Sequence, residues 1–79
     1  MANYILFPVS NKGLATEMRR LVDDYQEKDA TQDDLLQTLA AWRKNCDFML
    51  DKHGAGLSES IVRLIGKRRA MVVNKALGF

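Results

Sequence analysis

Three amphipathic stretches, each preceded by a Ser that can cap a helix or by a Thr in the same role, predict a mainly α-helical fold, a small three-helix bundle. Short breakers separate them, and a brief apolar run ending at Pro8 adds an extended N-terminal arm or strand. A chain of 79 residues holds one core. Residues 1–79 therefore read as a single helical domain, with an arm over 1–9 and helices over 11–27, 32–51 and 59–77.

The arm rests on Tyr4, Ile5, Leu6 and Phe7, a run of β-formers. No second strand is evident for it to pair with, so two arrangements are open. It lies flat on the helices, or it pairs with a second copy of itself. Ser10 supplies an N-cap for the first helix. At 100° per residue, Leu14, Ala15, Met18, Leu21, Val22 and Tyr25 fall on one face. Glu17, Arg19, Arg20, Asp23 and Glu27 fall on the other, which reads as solvated.

Thr31 with Asp34 three residues on has the form of a capping box, with Asp replacing the usual Glu. The second helix then carries Leu35, Leu36, Leu39, Trp42, Cys46, Met49 and Leu50 on one face. Phe48 falls off that face, which implies a distortion near Asn45 or a separate contact for Phe48. His53-Gly54-Ala55-Gly56 is the strongest breaker, and Gly54 suits a left-handed C-cap. Ser58 caps the third helix and Gly78 ends it.

That third helix has an apolar arc wider than a surface helix needs. Ile61, Ile65, Val72 and Ala76 form its centre, with Leu64 and Met71 on one flank and Val62 and Val73 on the other. Arg68 and Arg69 lie within or beside the arc, while Arg63 and Lys67 share the polar strip with Asn74. An unpaired guanidinium is too costly to bury. The two arginines either keep their heads in water or meet an anion. The anion is an acid of the Asp23/Asp24 or Asp47/Asp51 pairs, an acid of a second subunit, or a phosphate.

Composition narrows the function classes. The apolar fraction is 47% and the charged fraction 28%, as in a folded globular domain. The net charge of +2 is unevenly spread: residues 1–52 balance to −2 and residues 53–79 to +4. Cys46 is the only cysteine, which excludes an intrachain disulfide and points to a reducing cytoplasm. With His53 as the only histidine, no structural zinc set can be built from Cys and His. No secretory leader and no membrane-spanning stretch is expected.

A catalytic role is not expected either. Cys46 sits on the core face, and His53 opens a glycine loop that lacks the Gly-Lys-Ser/Thr of a phosphate-binding loop. The sequence calls for no cofactor, metal or small-molecule substrate. The basic run Gly66-Lys67-Arg68-Arg69, with Arg63 and Lys75, is the remaining functional feature. It suits an interface or an anion contact.

Leu21-Val22-Asp23-Asp24-Tyr25, then Trp42, then Ile65-Gly66-Lys67-Arg68-Arg69 resembles an uncharacterised family of short helical proteins from Gram-positive bacteria and their mobile elements. The likeness spans about Leu14 to Leu77 and leaves out the arm. It implies a bacterial or phage setting and assigns no residue a role. The leading expectation is a non-enzymatic protein-interaction or regulatory module, homodimeric through the arm of Tyr4, Ile5, Leu6 and Phe7 and the wide arc. Its partner is then itself or another protein. The alternative is a small nucleic-acid-binding protein using Arg63, Lys67, Arg68, Arg69 and Lys75. A third possibility is a small inhibitor of a larger enzyme.

Overall fold

A computed structural model describes residues 4–52 and 56–79. The expected Gly54 C-cap and His53 lie outside the described residues. Four helices are present: α1 (Asn11–Gln26), α2 (Gln32–Asn45), α3 (Glu59–Ile65) and α4 (Lys67–Leu77). The fold is mainly helical as expected, but the third helix is two.

The first two helix starts form as read. The Ser10 hydroxyl accepts the Gly13 N–H at 3.1 Å. Thr31 and Asp34 complete a reciprocal capping box, with Oγ1 accepting the Asp34 N–H at 3.1 Å and Oδ2 accepting the Thr31 N–H at 3.0 Å. Asp33 and Asp34 in the first turn of α2, and Arg43 and Lys44 in the last, complement the helix dipole. Between α1 and α2, Lys28 takes a left-handed φ of 66°, a conformation normally left to Gly. The Asp29 and Ala30 N–H groups then close on the Asp24 carbonyl.

Helix α2 stops at Asn45, six residues short of the expected end at Asp51. Cys46 leaves the helical region at φ −123°, ψ 94°. Asn and Asp compete for backbone hydrogen bonds, and Asn45 and Asp47 flank the break. Beyond it, Met49 donates back to the Cys46 carbonyl, and Leu50 faces Leu57 in one isolated antiparallel bridge. Cys46 and Met49 still reach the core, and Phe48 is half-buried against it.

The third stretch breaks at Gly66, which holds φ 90° and ψ 155°. That region is essentially closed to residues with a Cβ. The break rotates everything after it, so the buried residues are Ile61 and Ile65 of α3, then Ala70 and Val73 of α4. Val72 and Ala76, expected at the centre of the arc, are only half-buried. The wide arc is thus two normal arcs out of phase. Ser58 precedes α3, but its side chain makes no capping bond.

The core draws on every helix and is centred on Trp42, Leu14, Met18, Leu21, Leu39, Met49, Ile61 and Ile65, none more than 1% exposed. Helix α1 packs most extensively on α3, rather than on α2 as a helical hairpin would. No helix among the described residues is long and apolar enough to cross a membrane.

Candidate functional site

The arm crosses α1 and α2 with a bend at Leu6–Phe7, and no strand forms among the described residues. Its hold is mostly polar and falls on its backbone. The Ile5 N–H donates to Glu17 Oε1 at 2.7 Å. Trp42 Nε1 donates to the Ile5 carbonyl at 2.8 Å, and Asn45 Nδ2 to the Leu6 carbonyl at 3.0 Å. The Cys46 thiol lies 3.9 Å from the Pro8 carbonyl.

Tyr4 is the arm's inward side chain. Its hydroxyl donates to Asp24 at 2.6 Å, and its ring meets Trp42 edge-on at 6.4 Å between centroids. Burial first, then the hydrogen bond to Asp24, raises its phenol well above the ordinary value. It therefore remains a donor at neutral pH. The Arg20 guanidinium lies 5.2 Å from the centre of the same ring and bonds Glu17 at 2.8 Å.

Glu17 corrects the sequence reading. It belongs to the polar face of α1, yet it is 5% exposed, because the arm lies over it and uses its carboxylate. Backbone anchoring has a further effect on the other arm side chains. Ile5 is 61% exposed, Phe7 73% and Val9 95%, with Leu6 half-exposed beside them. Three apolar side chains are thus presented to solvent on a segment tied down beneath them.

The basic residues divide. Arg69 pairs with Asp23, Nε to Oδ1 at 3.0 Å and Nη2 to Oδ2 at 3.2 Å, and also bonds the Ile65 carbonyl. The hydrogen bonds and charge of Asp23 raise its pKa further. Arg63 pairs with Glu59 at 2.7 Å within α3. Lys67, Arg68 and Lys75 are exposed on α4 and make no ion pair among the described residues. Met71 stands between them, 71% exposed. Of the five basic residues, Arg63 and Arg69 are tied to acids, and Lys67, Arg68 and Lys75 stand exposed on α4.

Cys46 is buried, and desolvation followed by the charge of Asp47 raises its pKa, so it stays a thiol. Among the described residues no group of three His, Cys, Asp or Glu side chains is placed to hold a metal ion. None of Glu17, Asp24, Trp42 and Asn45 was read from the sequence as an anchor of the arm. Each reads as ordinary surface or core until the path of the arm is known.

Fold and surface together define a small helical chain with a strapped N-terminal arm and a cationic last helix. The chain belongs to a family of conserved hypothetical proteins, whose family model it matches over residues 5–78. The match takes in most of the arm, which the sequence resemblance left out. No curated protein and no solved structure matches it.

Proposed function

We propose that this chain is a non-enzymatic protein-interaction module that pairs with a second copy of itself through the N-terminal arm. The observation that carries the reading is the exposure of Ile5, Phe7 and Val9 on a backbone already anchored to α1 and α2. Docking such a segment requires little further ordering, so burial of its side chains contributes to association with small entropic loss. Each such side chain buried fully contributes about 1.5–3 kcal/mol. A two-fold pairing would place the same patch of both copies together.

The proposed setting is the reducing cytoplasm of a Gram-positive bacterium or one of its mobile elements. The sequence resemblance and the single cysteine support it. Light scattering over a concentration series tests the pairing. A dimeric mass that dissociates on dilution, and a monomeric mass for Phe7→Asp at all concentrations, are expected. A monomer throughout for the unaltered chain removes the proposal.

Nucleic-acid binding is the second reading, favoured by the exposed Lys67, Arg68 and Lys75. Against it, Arg63 and Arg69 are already matched to Glu59 and Asp23. Titration with short DNA and RNA at two salt concentrations separates the readings. Binding that weakens steeply with salt, and that charge reversal at Lys67 reduces without unfolding, would favour nucleic acid.

A further inference from the structure

Helices α2 and α4 flank a cleft of about 490 Å³ that the arm does not touch. Leu35 and Leu36 line it from α2, Val72 and Ala76 from α4, and Tyr25 from α1. Leu36 is 42% exposed and Val72 and Ala76 are half-buried, so the lining is open to an occupant. The charged residue among its lining is a cation. Lys75 lines the cleft, and Arg68 lies one turn before Val72 on the same side of α4.

No acid opposes these cations from the lining. Helix α4 contains no Asp or Glu. The α2 lining residues are uncharged; Asp33 and Asp34 stand in the same first turn of α2 but outside the lining, Asp33 accepting from the Gln37 amide and Asp34 from the Thr31 N–H. The first turn of α4 even carries cations where the helix dipole favours anions. A concave apolar lining with Lys75 in it and Arg68 further along the same side of α4 suits an occupant with apolar side chains on one face and carboxylates beside them.

We propose that this cleft is a docking site for an acidic amphipathic helical segment of a partner protein. Apolar side chains spaced one turn apart enter between Leu36 and Val72, and flanking carboxylates meet Lys75 and Arg68. This is helix-in-groove recognition, in which apolar anchors supply affinity and charge selects the partner. Nucleic acid offers no side chains for an apolar cleft. A bilayer is flat and would meet a convex apolar face, not a concave one. The site is independent of the arm, whose anchors Trp42 and Asn45 lie at the opposite end of α2.

The test is an NMR titration of the labelled full chain with two designed peptides of about four helical turns. Both carry Leu along one face, with Glu elsewhere in one and Lys in the other. Amide shifts centred on Leu36, Val72 and Lys75 are expected with the Glu peptide alone. Arg68→Glu combined with Lys75→Glu should raise the Kd at least about tenfold with the melting temperature retained. The milder pair Arg68→Gln and Lys75→Gln, with a smaller rise, serves if charge reversal disturbs the fold. Absence of binding, equal binding of the Lys peptide, shifts centred on the arm, or an affinity unchanged in the variants would each overturn the proposal. Repeating the titration on Phe7→Asp keeps its outcome separate from that of arm pairing.

Discussion

Replacing Glu17 should loosen the arm before it loosens the bundle. Its carboxylate accepts the Ile5 N–H at 2.7 Å and Arg20 at 2.8 Å, and it is 5% exposed. A hydrogen bond to an ionised acceptor contributes about 1.5–3 kcal/mol, and the low end applies because the exposed Ile5 can turn its N–H to water. The Arg20 pair adds about 0.2–1 kcal/mol, since that side chain is half in solvent. Removing the desolvated charge returns part of the loss.

Glu17→Ala should therefore cost about 1–2.5 kcal/mol, against a total of about 4–12 kcal/mol for a chain of this size. Glu17→Gln keeps a neutral acceptor and the methylenes, and should cost about 0.5–1.5 kcal/mol. Urea unfolding measures both, and exchange of the Ile5 amide reads the arm directly. In Glu17→Ala the Ile5 amide should exchange faster while amides within α1 and α3 keep their order of protection. Unchanged Ile5 exchange with an unchanged urea midpoint would refute the account of the arm. If the arm proposal holds, the same variant should also weaken self-association, because a loose arm must be ordered again on pairing.

Two glycine exchanges should act in opposite directions. Gly66→Ala meets no atom within 4 Å, so its cost is backbone strain alone, about 1–3 kcal/mol, seen as a lower melting temperature. Lys28→Gly removes a strained left-handed residue and should raise stability by about 0.5–1 kcal/mol in the same assay. Thr31→Ala removes one half of the α2 capping box and should cost about 1 kcal/mol. The Thr31 N–H and then its hydroxyl hold the Asp34 carboxyl below its ordinary value. That stabilisation is present above the ordinary carboxylate range and is lost as pH falls through the lowered value. Asp34→Asn should accordingly flatten the acid limb of melting temperature against pH. Cys46 should react slowly with a thiol reagent in the native state and rapidly in urea, and rapid native labelling would contradict its burial.

What the sequence discloses depends on whether its signal is local. The caps of α1 and α2 are legible because Ser10 and Thr31 act on backbone three residues away. So is the inward face of α1, from Leu14 to Val22, because one unbroken helix keeps its phase. Phase is what fails later. Gly66 sits inside a run whose apolar spacing continues across it, so a constant 100° turn extends the helix and aligns Val72 and Ala76 with Ile65. One residue outside the helical region resets the angle, and Ala70 and Val73 enter the core instead. The Asn45 break left a trace, in that Phe48 did not fit the face of α2. The sequence thus pointed to a distortion near Asn45 or a separate contact for Phe48, but it showed no partner for the Asn45 side chain.

That partner is the arm, and the arm explains why the surface was the least legible part. Glu17 and Asn45 are separated by 28 positions, and neither differs from a solvated helix residue until Ile5 and Leu6 are laid between them. Burial of Glu17 and exposure of Phe7 are two consequences of one event, because holding the arm by its backbone leaves its side chains outward. The hydrophobicity of Ile5 and Phe7 would ordinarily bury them, and the polar anchors reverse that outcome. A chain that commits Trp42 Nε1 and a buried carboxylate to displaying apolar side chains uses core residues to shape its surface. The self-association proposed for the arm would use such a surface, and the Glu17 variants test the two together: on that proposal the arm must be fixed for its outward face to bind.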